Sequence, residues 1–205
     1  IVNCQFVLPG AYFSTEREET QMLYETPNPH GGDLYSREIL LDFSANINPY
    51  GTPQAVKESV AASVENLRCY PDPYCRKLIS AIADFEQVPA KQVFCGNGAA
   101  ELIFSCCMAL RPRKAMVLSP CFSEYETALK VFGTETAHYL LRREDDFALT
   151  EAFLPTLERF DGEMLMLCNP NNPTGQVIER PLMEKILEIC RRRNIFLFID
   201  ECFLD

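Results

Sequence analysis

From Thr52 to the end of the chain, strand-like apolar runs alternate with amphipathic helix-like stretches, and this alternation limits the possible folds more than any other property of the sequence. The last run is the clearest. Ile195-Phe196-Leu197-Phe198-Ile199 is apolar throughout, as expected of a strand buried on both faces. The helix before it opens at Pro181 and turns Leu182, Ile186, Ile189 and Cys190 toward a core. Upstream, strand patterns fall at residues 92–95, 115–118, 135–140 and 164–168, with helix patterns at 99–110, 124–132 and 151–160. Such a series predicts an α/β domain, a mainly parallel sheet with helices on both faces.

Two helices precede the series. Thr52 is a candidate cap with Pro53 in first position, and Val56, Val60, Val64 and Leu67 then recur on one face, which is expected to pack on the body of the protein. Tyr70-Pro71-Asp72-Pro73 interrupts the chain. Leu78, Ile79, Ile82 and Phe85 mark the second helix, which Pro89 ends.

Composition narrows the function. A chain of 205 residues with 47% hydrophobic content can bury a sizeable core, and a net charge of -10 disfavours nucleic-acid and anionic membrane surfaces. The basic run Arg191-Arg192-Arg193 closes a helix, where cations complement the exposed carbonyls. Ten cysteines without a Cys-x-x-Cys pair read mostly as buried thiols of a cytoplasmic protein. Two distant histidines, His30 and His138, provide no metal-ligand spacing, so no metal is expected. Residues 1–13 lack the basic start of a secretion signal, no segment is long enough to span a bilayer, and residues 1–21 read as upstream translation or a tail before a start at Met22.

Three strings carry chemistry. Gly96-Asn97-Gly98-Ala99-Ala100-Glu101 sets small residues where a strand turns into a helix, so backbone N–H groups at the helix start can receive a phosphate, although a tight turn alone explains such glycines equally well. Cys168-Asn169-Pro170-Asn171-Asn172-Pro173-Thr174-Gly175 pins a rigid loop that aims the Asn172 amide. Asp200 ends an apolar strand, where a carboxylate calls for a cation.

On these strings, residues 22–205 resemble the first part of a fold-type-I, pyridoxal 5'-phosphate-dependent enzyme of the class I/II aminotransferase group. The resemblance implies a truncated large domain over 52–205, preceded by an arm or substrate segment over 22–51. It also implies that Ala99 and Ala100 hold the cofactor phosphate, Phe122 stacks on the ring, Asn172 donates to the phenolic oxygen and Asp200 pairs with the ring nitrogen. Tyr70 would reach the cofactor phosphate of a neighbouring subunit in a homodimer. No catalytic residue is assignable, because the family's Schiff-base lysine lies beyond Asp205. The 205-residue chain is therefore expected to be an inactive fragment whose sheet lacks its middle strands.

Within the group, His30-Gly31-Gly32-Asp33 and Leu41-Asp42-Phe43-Ser44-Ala45-Asn46 resemble the threonine-phosphate decarboxylases of cobalamin synthesis. Histidinol-phosphate aminotransferases are the nearest alternative, and they usually carry a tyrosine where this chain has Phe203. The decarboxylase resemblance implies a phosphorylated amino acid as substrate, with His30 and Asn46 binding it. A cofactor-sensing or inactive aminotransferase-like module is the non-enzyme alternative.

Overall fold

A computed structural model describes residues 31–35 and 38–204, and the chain divides into two compact units, one up to Gly51 and one from Thr52 onward. In the first unit, the glycine string and the Ser44 segment cross at close range. A Cβ on Gly31 would stand 1.7 Å from the Ser44 carbonyl oxygen, and the Gly32 N–H donates to Ser44 Oγ at 2.9 Å. Only glycine fits at Gly31, so the two motifs depend on each other.

The second unit is built on four parallel strands, β1 (Lys114–Ser119), β2 (Glu135–Leu140), β3 (Met164–Cys168) and β4 (Phe196–Asp200), in the order β2-β1-β3-β4. The helices are α1 (Gln54–Ser63), α2 (Arg76–Glu86), α3 (Gly98–Leu110), α4 (Ser123–Val131), α5 (Leu154–Arg159) and α6 (Arg180–Arg193). Alternation along β1 and β3 sorts the core. Ala115, Val117, Met164, Met166 and Cys168 face α3 and α4, with Ile103, Cys107, Tyr125 and Leu129. Met116, Leu118, Leu165 and Leu167 face the other side, where Phe153, Leu157, Leu182, Ile186 and Ile189 cover them. Burying each large side chain contributes roughly 1.5–3 kcal/mol, so the all-buried β3 is the energetic centre of the sheet.

The basic run at the end of α6 does more than complement the dipole. Arg192 pairs with Glu158, and Arg193 donates to the carbonyls of Glu158 and Phe160, both at 2.8 Å, which ties α6 to α5.

Four expectations are corrected. Residues 92–95 form no strand: Gln92 closes the short 3-10 helix Ala90–Gln92, and nothing among the described residues pairs with 93–95. The second is β4, which is not buried on both faces: it pairs with β3 alone, and Phe196 is 46% exposed. Thr52 does not cap α1, whose N-cap is Pro53 without a side-chain bond, and Val56, Val60, Val64 and Leu67 are all exposed, because no described element covers their face. Finally, of the nine described cysteines, only Cys107, Cys168 and Cys190 are buried.

Candidate active site

Chain direction alone locates a crevice. From β1 the chain crosses through α4 to β2 on one side, whereas β3 leads through α6 to β4 on the other. α4 covers one face of the sheet and α6 the opposite face, so the loops leaving β1 and β3 diverge. Ligands bind in parallel sheets at such a reversal, outside the carboxyl ends of the strands. Phe122 follows β1, the Asn169–Gly175 loop follows β3, and Asp200 ends β4, so three of the sequence candidates meet at this edge. The start of α3 joins them, because its end reaches β1 through the short link 111–113 and the helix therefore runs back against the strand.

Asp200 is the best-defined member. It is 8% exposed and Cα-paired with Cys168 across β3 and β4. The Tyr125 hydroxyl donates to its Oδ2 at 2.8 Å, and the Cys202 N–H donates to Oδ1 at 3.1 Å. No Lys, Arg or His among the described residues forms an ion pair with it. Such a carboxylate suits a bound cation. Burial, then the bonds to Cys168 and Asp200, push the Tyr125 hydroxyl well above the ordinary tyrosine range, so it remains a donor.

Phe122 caps α4, and its ring lies edge-on to Tyr125, 5.6 Å between centroids and 85° between planes. Tyr125 was not among the sequence candidates. Its signal is positional, since a residue three beyond Phe122 shares that face of a helix.

The loop after β3 is pinned by its own amides. Asn169 Oδ1 accepts from the Ile178 N–H at 2.8 Å, and the Asn169 N–H donates to the Asp200 carbonyl at 2.8 Å. Asn171, also missed in the sequence, is buried and donates from Nδ2 to the Pro120 carbonyl at 3.2 Å and to Thr174 Oγ1 at 2.9 Å, linking this loop to the one after β1. With Asn171 taken up internally, half-buried Asn172 is left at the loop surface.

At the start of α3 no side chain caps the helix, and Gly98 has φ +82°. The Asn97 N–H donates to the Glu101 carboxylate and the Gly98 N–H to the Gly96 carbonyl, so the exposed Ala99 and Ala100 amides are the next at the helix mouth. Three sequence candidates remain. Tyr70 is 100% exposed, Asn46 is exposed in the first unit, and His30 lies outside the described residues.

An uncapped helix start, an aromatic face, a surface amide and a buried carboxylate suit a phosphorylated pyridinium cofactor. The family model of class I and II aminotransferases matches residues 38–205. Threonine-phosphate decarboxylase of Salmonella typhimurium is 42% identical over 184 residues, 86% of this chain and 50% of that protein. An adenosylcobalamin biosynthesis bifunctional protein of Leptospira interrogans is 30% identical over 85% of this chain and 21% of its own length. Among solved structures, histidinol-phosphate aminotransferase from Clostridium acetobutylicum superposes with a TM-score of 0.69 at 28% identity, covering 79% of this chain and 47% of that one. The chain spans about half the length of the first of these relatives.

Proposed function

The chain belongs to the class I and II aminotransferase family, whose cofactor is pyridoxal 5'-phosphate, and from that premise we propose that the whole protein decarboxylates L-threonine O-3-phosphate to aminopropanol phosphate in cobalamin synthesis. The observation that carries this reading is the 42% identity to a curated threonine-phosphate decarboxylase, against 30% and 32% to curated histidinol-phosphate aminotransferases. The pairing of Gly31 and Gly32 with Ser44 supports it, since it joins the two strings that carry the decarboxylase resemblance.

When bound, the cofactor supplies an electron sink for the pair released as the carboxylate leaves. Asp200 holds a proton at the ring nitrogen, and Tyr125 fixes the carboxylate that does so. The Ala99 and Ala100 amides bind the phosphate at the start of α3. Phe122 offers its face to the ring, and Asn172 donates to the phenolic oxygen. His30 and Asn46 would bind the substrate and orient its carboxylate for loss, and Tyr70 would complete the phosphate site of a second subunit in a cytoplasmic homodimer. In this reading residues 1–21 are upstream sequence or a tail, 22–51 the substrate arm and 52–205 the cofactor domain.

Side-by-side assays of the full-length protein test the proposal. Carbon dioxide release from threonine phosphate is expected to outpace amino transfer from histidinol phosphate to 2-oxoglutarate. Rapid transamination without decarboxylation would overturn it.

A further inference from the structure

Beside Asp200 lie two thiols that the proposed chemistry does not use. One Sγ of Cys168, one carboxylate oxygen of Asp200 and Sγ of Cys202 all lie within 4.8 Å of one another. The backbone brings them together. Cys168 and Asp200 are Cα partners on adjacent parallel strands, and the Cys202 N–H bonded to Asp200 Oδ1 folds the following turn so that its thiol returns over the carboxylate. Cys168 is buried and Cys202 exposed, so the cluster has a fixed floor and an open side.

We propose that Cys168, Asp200 and Cys202 form a binding site for a thiophilic divalent cation of the zinc class, which takes the position of the cofactor's ring nitrogen when the cofactor is absent. Two sulfurs and one oxygen are a zinc-type ligand set, with a fourth position left for water. Two thiolates on one tetrahedral zinc stand about 3.8 Å apart, given Zn–S bonds of about 2.3 Å. The cluster therefore has to close by roughly 1 Å at most, within reach of a side-chain rotation at Cys202 on its exposed turn. Tyr125 donates to Asp200 Oδ2 and so orients the carboxylate toward the metal position. On binding, each thiol gives up its proton to solvent, and Cys168 exchanges its contact with the Pro170 carbonyl at 3.1 Å for a bond to the metal. The pattern is hidden in the sequence because the ligands come from two strands and the turn after the second.

The competition with the cofactor rests on the reading of Asp200 as the ring-nitrogen partner, whereas the metal site does not. Cobalt(II), a spectroscopic stand-in for zinc, tests both on full-length protein stripped of cofactor and kept reduced by a phosphine. One equivalent is expected to produce thiolate-to-cobalt charge-transfer absorption and the visible bands of a tetrahedral site. Cys202→Ser, at an exposed position, is expected to cut the charge-transfer intensity by about half or more, and Cys69→Ser, at another exposed thiol, to leave it unchanged. No tetrahedral spectrum, or one that Cys202→Ser and Cys168→Ser leave intact, would overturn the site. Adding pyridoxal 5'-phosphate is expected to bleach the bands. Bands that form, depend on Cys202 and resist the cofactor would uphold the metal site and count against Asp200 as the ring-nitrogen partner.

Discussion

The hydroxyl of Tyr125 donates to Oδ2 of Asp200 across 2.8 Å, joining the first helix after β1 to the last strand of the sheet. Both groups are buried, and the pair spans the face on which α3 and α4 lie. A hydrogen bond to a charged group is worth about 1.5–3 kcal/mol. Tyr125→Phe removes it while keeping the ring contacts with Phe122 and Phe198. Denaturant unfolding of the full-length variant is expected to show a loss of that size, and an unchanged midpoint would mean that the bond contributes nothing.

Gly98 stands at φ +82° with open space where a Cβ would go, so the cost of a side chain there is conformational rather than steric. Gly98→Ala is expected to cost about 1–2 kcal/mol locally and to shift the amides at the start of α3. Affinity for pyridoxal 5'-phosphate should then fall about tenfold, while affinity for pyridoxal, which lacks the phosphate, stays constant. Equal losses for both would remove the start of α3 from the phosphate site.

Burial pushes the thiols of Cys107 and Cys190 up to about 11 from an ordinary value near 9.0, with the neighbouring Cys106 adding to the shift at Cys107. Above pH 9 the unfolded chain loses thiol protons that the folded chain retains. Their contribution is therefore complete below the unfolded value and is lost as pH rises toward 11. The urea midpoint is expected to fall through that window and to fall less in Cys190→Ala, after allowance for that variant's own lower baseline. At neutral pH a thiol reagent should label exposed Cys69 well before either buried thiol.

Much of this was legible in the sequence. β2 and β3 occupy residues 135–140 and 164–168 as their patterns indicate, and Leu182, Ile186, Ile189 and Cys190 of α6 all reach the core. Period-based reading succeeds there because each element finds its partner within the chain. It fails at residues 92–95 and on the apolar face of α1, where the pattern is present and no described element answers it. At the site, Asn172 and Asp200 were named from their strings and Phe122 from the family resemblance, and all three gather at one sheet edge, whereas Tyr125 and Asn171 were missed. Their importance lies in bonds to Asp200 and Pro120, which are distant in the chain.

Asp200→Asn removes the charge and keeps the shape. In the full-length protein it is expected to lower turnover by orders of magnitude while the phosphate contacts proposed for the Ala99 and Ala100 amides preserve most cofactor occupancy. Comparable turnover in mutant and wild type at saturating cofactor would show that Asp200 is not required.

The most direct test reads the proton itself, by nitrogen-15 NMR of full-length protein loaded with ring-labelled pyridoxal 5'-phosphate. A buried carboxylate held by Tyr125 and the Cys202 amide predicts a protonated, pyridinium-type ring nitrogen in the wild type and a neutral pyridine-type signal in Asp200→Asn. A neutral nitrogen in the wild type, or a protonated one in both proteins, would contradict the assignment of Asp200.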